Sequence, residues 1–89
     1  MKKGIFTILT NEALTSSVYR MTLEGDTSAI TAPGQFVNIQ LAGKFLRRPI
    51  SVCDWEEGKL TLVYKVVGQG TAQMAAMAPG ERLDILTGL

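Results

Sequence analysis

Two short segments of this chain carry residue types suited to gripping phosphate and a flat polar ring. Arg47-Arg48-Pro49-Ile50-Ser51-Val52 sets a guanidinium, a φ-locked proline and a hydroxyl within four residues, at the mouth of an expected strand. A guanidinium binds phosphate oxygens in pairs and stays charged at any relevant pH. Pro49 holds the backbone extended into Ile50, and the Ser51 hydroxyl both donates and accepts, which suits a ring nitrogen. The second segment, Tyr64-Lys65-Val66-Val67-Gly68-Gln69-Gly70-Thr71, ends a strand in a glycine-rich turn that opens a short helix. Glycines admit close backbone approach to an anion, exposed N–H groups at a helix start favour negative charge, and Thr71 adds a hydroxyl. Each segment also has a plain structural reading: a surface arginine pair beside a strand, and an N-capped strand-to-helix turn. Taken together they are two walls of a site for a phosphate-bearing, flat-ringed cofactor.

The elements around these walls are strands. Tyr19, Met21 and Leu23 alternate with Arg20, Thr22 and Glu24; Val37, Ile39 and Leu41 alternate with Asn38 and Gln40; Leu60, Leu62, Tyr64 and Val66 alternate with Thr61, Val63, Lys65 and Val67. Short alternating runs bounded by turn residues read as half-buried antiparallel strands. Pro33-Gly34 and Pro79-Gly80 suit type II turns, and Glu57-Gly58 suits a hairpin. The pattern predicts six strands near 4–10, 17–24, 35–41, 48–54, 59–67 and 82–87. One helix is expected over Thr71 to Ala78, with Thr71 as its N-cap and Pro79 as its stop. Six short strands and one short helix predict an all-β protein, a small closed or nearly closed antiparallel barrel with the helix between its last two strands.

Within that frame Tyr64 packs inward and Lys65 outward, because adjacent strand residues face opposite ways. Met74 and Met77 are expected on the barrel, Trp55 as a partly buried anchor, and Cys53 as a small buried filler.

Composition removes several functions. The chain has 89 residues, one cysteine, no histidine and a net charge of +1. One domain with a modest core is the expectation. The near-neutral balance speaks against nucleic acid as a partner. No apolar run approaches the ~20 residues that span a bilayer, so no membrane partner is expected and a cytoplasmic setting is the default. No disulfide framework, His-ligated metal or Ser-His or Cys-His catalytic pair is available, so no metal-binding and no catalytic residue is assigned. Leu83 to Leu89 is a strand running into a glycine turn where the chain stops, which reads as a piece of a longer protein.

Pro33-Gly34-Gln35-Phe36-Val37, Arg48-Pro49-Ile50-Ser51, Val63-Tyr64-Lys65 and Gly68-Gln69-Gly70-Thr71, in this order and spacing, resemble the flavin domain of the ferredoxin–NAD(P)⁺ reductase superfamily. The Arg-Arg-Pro-Ile-Ser and Gly-Gln-Gly-Thr wording is most similar to the electron-transfer subunits of NAD-dependent (class 1B) dihydroorotate dehydrogenases. The resemblance covers residues 1–89 and implies a six-stranded Greek-key barrel that binds FAD. It implies that Arg48, with Pro49 beside it, pairs with the FAD pyrophosphate, and that Ile50 and Ser51 meet the isoalloxazine, Ser51 by a hydrogen bond. It further implies that Val63, Tyr64 and Lys65 contact the flavin or ribityl chain through backbone, and that Gly70 and Thr71 hold the phosphates. A nucleotide-binding domain and a [2Fe–2S] cysteine cluster follow this barrel in the family. Neither is in this chain, so the fragment alone is not expected to be catalytically competent. In the full-length protein the implied partner is a catalytic dihydroorotate dehydrogenase subunit, and the implied role is electron transfer to NAD⁺ during pyrimidine biosynthesis. Two alternatives stand beside it: a related flavin domain, of a sulfide dehydrogenase or ferredoxin:NADP⁺ oxidoreductase, and a small barrel that serves as an interaction module.

Overall fold

The computed structural model describes residues 2–32, 34–40 and 47–88, with Arg47 and Arg48 described through their backbone. Six strands and a helix follow in order: β1 (Lys2–Ala13), β2 (Val18–Glu24), β3 (Phe36–Gln40), β4 (Arg47–Glu56), β5 (Lys59–Lys65), α1 (Gln69–Ala75) and β6 (Arg82–Thr87). They close a barrel in the order β1-β2-β5-β4-β3-β6, and every pairing is antiparallel. Strands β3, β4 and β5 follow one another as neighbours while β6 returns beside β3. That is the Greek-key connection the resemblance implied.

Alternation builds the core. Met21 and Leu23, Val37 and Ile39, Leu60, Leu62 and Tyr64, and Leu83 and Ile85 all point inward and are buried. Burying each such side chain is worth roughly 1.5–3 kcal/mol. Met74 of α1 joins the same core, Met77 and Trp55 pack against it, and the methionines and tryptophan take the places expected of them. The Gly58 turn brings Glu56 opposite Lys59, and Gly80 takes φ +92°, a conformation the turn after Pro79 requires and glycine alone adopts cheaply. Pro33 and Leu41 of the expected turn and third strand lie outside the described residues.

Three expectations need correction. Strand β1 is longer than expected, running to Ala13, because a bulge between Ile8 and Thr10 breaks its alternation. Leu9 is the extra residue, so Phe6 and Ile8 face inward before it and Asn11 faces inward after it. A second bulge, between Val52 and Asp54, does the same to β4. Cys53 sits at that bulge and is exposed, not a buried filler, while Trp55 is brought back toward the core.

The helix is also displaced. Gly68 is its N-cap, in an extended conformation, and α1 begins at Gln69 and ends at Ala75. Thr71 is therefore the third helical residue and not the cap. Its hydroxyl accepts from the N–H groups of Val67 at 2.9 Å and Gly68 at 3.2 Å and donates to the Gly68 carbonyl at 3.2 Å. The helix stops short of Ala78 because Pro79 forces the residue before it out of the helical region.

Candidate functional site

The ladder between β4 and β5 runs from Glu56/Lys59 to Val52/Leu62, and no further pairing joins the two strands among the described residues. Beyond that point β4 stays bonded to β3 and β5 stays bonded to β2. The seam between them opens into a groove of about 310 Å³. Pro49, Ile50 and Ser51 form one wall, Val63, Tyr64 and Lys65 the other, and Val67 and Thr71 close the end toward α1.

Register decides which backbone groups face this seam. The Val66 N–H bonds the Ser17 carbonyl at 2.7 Å, so by antiparallel alternation Tyr64 exchanges its backbone bonds with Tyr19 while Val63 and Lys65 turn theirs toward β4. The Val52 N–H bonds the Gln35 carbonyl at 2.8 Å, so Ile50 is committed to Val37 while Pro49 and Ser51 turn toward β5. Proline has no N–H to offer its neighbour, which suits its place on an unpaired edge. The groove is thus edged with backbone groups of Ser51, Val63 and Lys65 and with the exposed Ser51 side chain.

Tyr64 is a wall from within. It is 4% exposed, stacks on Tyr19 with ring centroids 5.9 Å apart, and donates its hydroxyl to Asn11 Oδ1 at 2.8 Å. Burial pushes its phenol up to about 12, against the opposing pull of the Asn11 hydrogen bond, so it stays neutral through the physiological range. Asn11 Nδ2 in turn donates to the carbonyls of Met74 at 2.8 Å and Met77 at 2.9 Å. A single amide on β1 therefore ties the groove's tyrosine to the end of α1.

Of the residues singled out from the sequence, Pro49, Ile50, Ser51, Val63, Tyr64, Lys65 and Thr71 share this one groove. Gly70 is buried inside α1 and is not among its lining residues. The backbone of Arg48 sits opposite Ile39 in β4, and the role expected of its side chain lies outside the described residues. The Thr71 hydroxyl is spent on its own turn, so the donors left at the helix start are backbone N–H groups. Sequence reasoning missed Phe36, Val67 and Asn11. Phe36 and Val67 line the groove and are 53% and 76% exposed, and a large apolar side chain left in water beside a concavity is the signal that finds them.

A larger cavity, about 540 Å³, lies at the opposite end of β5, beside Gly25, Asp26, Trp55 and Glu57. Its carboxylates disfavour a phosphate. Hydrogen bonds from Lys2 and Ser28 hold the exposed Asp26 carboxyl well below the usual carboxylate range. Among the described residues no group of three or more His, Cys, Asp or Glu could hold a metal, and no helix is long and apolar enough to cross a membrane.

No protein-family model matches the chain. Over 79 residues, 88% of its length, it is 44% identical to the electron transfer subunit of dihydroorotate dehydrogenase B (NAD(+)) from Caldanaerobacter subterraneus subsp. tengcongensis. The chain is a homologue of these electron-transfer subunits. It spans about a third of the length of the curated relatives it matches. Among solved structures, it superposes with a TM-score of 0.81 and 29% identity on the NADH-dependent reduced ferredoxin-NADP oxidoreductase of flavin-based electron bifurcation, over 94% of this chain and 32% of that one. It also superposes on a flavohemoglobin from Malassezia yamatoensis with bound FAD and heme, with a TM-score of 0.69 and 19% identity, over 98% of this chain and 25% of that one. The second likeness is one of fold. The barrel is thus an architecture this chain shares with that oxidoreductase, and the open β4–β5 seam is where seven of the residues singled out from the sequence gather.

Proposed function

We propose that this chain is a flavin-binding domain that holds FAD in the β4–β5 groove and, in the whole protein, serves electron transfer between NAD(H) and the catalytic subunit of a dihydroorotate dehydrogenase. The observation that carries the reading is the convergence of Pro49 to Ser51 with Val63 to Lys65 on one open seam, in a chain 44% identical to an electron-transfer subunit. The groove fits such a group: it sets backbone groups turned toward the seam and a serine hydroxyl beside exposed apolar surface, as a polar-edged aromatic ring requires. Ser51 and the backbone at Val63 and Lys65 would orient the ring edge. Arg48 and the turn leading to Gly70 and Thr71 would hold the phosphates. FAD supplies the redox chemistry when bound, and the protein supplies position and shielding.

A [2Fe–2S] centre, if the whole protein carries one, belongs to segments outside these 89 residues, since such a cluster takes four ligands and the chain has one cysteine. The same holds for the nicotinamide site. The cytoplasmic setting is part of this proposal. A second reading, the flavin domain of a ferredoxin:NADP⁺ oxidoreductase, draws on the 29% identity to the bifurcating enzyme and uses the same groove for the same cofactor. The test is co-elution of FAD with the purified chain on gel filtration, followed by titration of Arg48→Ala. Retained flavin and a weakened variant support the reading. No co-eluting flavin together with no effect of the substitution refutes it.

A further inference from the structure

Five large apolar side chains are exposed among the described residues, and two of them, Phe36 and Val67, line the one groove. The other aromatic rings in the described residues have other places: Phe6 is buried, Tyr19 and Tyr64 stack on each other, and Trp55 lies at the far end of the barrel. Phe36 faces Ser51 directly across the β3–β4 ladder. The adjacent Val52-to-Gln35 backbone bond makes Phe36 and Ser51 a non-hydrogen-bonded pair, the kind whose side chains approach most closely, with Cβ atoms roughly 4.5–5.5 Å apart. Ile50, by contrast, is turned into the barrel opposite Val37 and is 9% exposed, so it offers a ligand little surface.

A phenyl ring left more than half in water, next to a hydroxyl that reads a ring edge, is apolar surface awaiting a flat partner. We propose that Phe36 is the aromatic side chain that packs against the isoalloxazine of bound flavin, with Val67 as the second apolar wall. The inference rests on the flavin reading above and adds to it the residue that sets how the ring is covered. It also separates two tasks within one cross-strand pair, Ser51 addressing the polar edge and Phe36 the apolar face.

The test is titration of this chain with FAD, read both as affinity and as the position of the flavin's visible absorption band. Phe36→Ala is expected to weaken FAD about tenfold, in keeping with loss of one aromatic contact and its buried area, and to move the band toward that of free flavin. Phe36→Tyr, which keeps the ring, is expected to stay within about twofold of the parent. Because Phe36 is on the outer surface, both variants should keep the far-ultraviolet circular dichroism of the parent. Equal affinity and an equal spectrum for Phe36→Ala, with the parent binding FAD, overturn this inference and leave the flavin reading standing. Weaker binding with an unmoved band also overturns it, since that places Phe36 on the adenosine half. A parent chain that binds no FAD overturns both.

Discussion

Replacing Asn11 by alanine should be the most informative single change in this barrel. Its side chain makes three well-formed hydrogen bonds, to the Met74 carbonyl, the Met77 carbonyl and the Tyr64 hydroxyl, at 2.8, 2.9 and 2.8 Å. Each bond contributes about 1 kcal/mol net, and a donor or acceptor left buried without a partner costs about 1–3 kcal/mol. The Met77 carbonyl lies on a half-buried residue that water reaches in part, and the buried Met74 carbonyl still accepts from the Met77 N–H at 3.1 Å, but Tyr64 is 4% exposed and its hydroxyl has no such recourse. Asn11→Ala should therefore cost about 3 kcal/mol, and in a domain of this size lower the Tm by roughly 12–24 °C. Urea denaturation followed by circular dichroism measures the loss. Tyr64→Phe should cost about 1 kcal/mol, and Asn11→Ala should cost correspondingly less in that background, because one of its three bonds is already gone. Asn11→Asp keeps the acceptor for Tyr64 but aims a carboxylate oxygen at two carbonyls, so it should be no better than alanine. A loss below about 0.5 kcal/mol for Asn11→Ala, or an aspartate variant as stable as the parent, would show that this amide does not hold the helix to the barrel.

Two further changes address the ends of the barrel. A Cβ built on Gly25 would lie 2.6–2.8 Å from ring atoms of Phe6, and Phe6 is 1% exposed and cannot retreat. Gly25→Ala should cost about 1–3 kcal/mol by overpacking, read in the same denaturation assay, while Gly68→Ala, whose Cβ meets nothing within 4 Å, should not show that clash. The Tyr64 phenol, raised to about 12 in the folded chain from its ordinary 10.0, gives an alkaline limb with a definite sign. The unfolded chain ionises first, so stability is level below about pH 10 and falls as pH rises toward about 12. Tyr64→Phe should remove that part of the decline, and an unchanged pH profile would rule out Tyr64 as its source.

The strands were legible because their alternation survives in sequence, and β6 falls on the residues expected of it. What the sequence concealed is wherever one extra residue changes the phase. After Leu9 the polar run Thr10-Asn11-Glu12 looks like a loop, although it continues β1 and turns Asn11 inward. Cys53 is outside by plain alternation with the inward Ile50 and Val52, and the bulge that follows it changes the phase so that Trp55 turns back toward the core. Thr71 was readable as a capping residue by type but not by position, since glycine at the cap itself lets a threonine three residues later close the turn. Of the segments singled out for their chemistry, Pro49 to Ser51 and Val63 to Lys65 line the groove. The missing part was Phe36, which in the one-dimensional pattern reads as one more strand residue beside a glycine turn. Its exposure is a property of the register with Ser51, and register is set by contacts 15 residues apart.

The open seam between β4 and β5 has a consequence for how copies of this chain behave toward one another. Two stretches of strand backbone without a neighbour are an invitation for another chain to add a strand there and begin a chain of like contacts. Pro49 stands on one lip, unable to donate, and the exposed Lys65 stands on the other and carries a charge that a second copy would repeat against it. The two residues that edge the groove thus also disfavour strand addition by a second copy there.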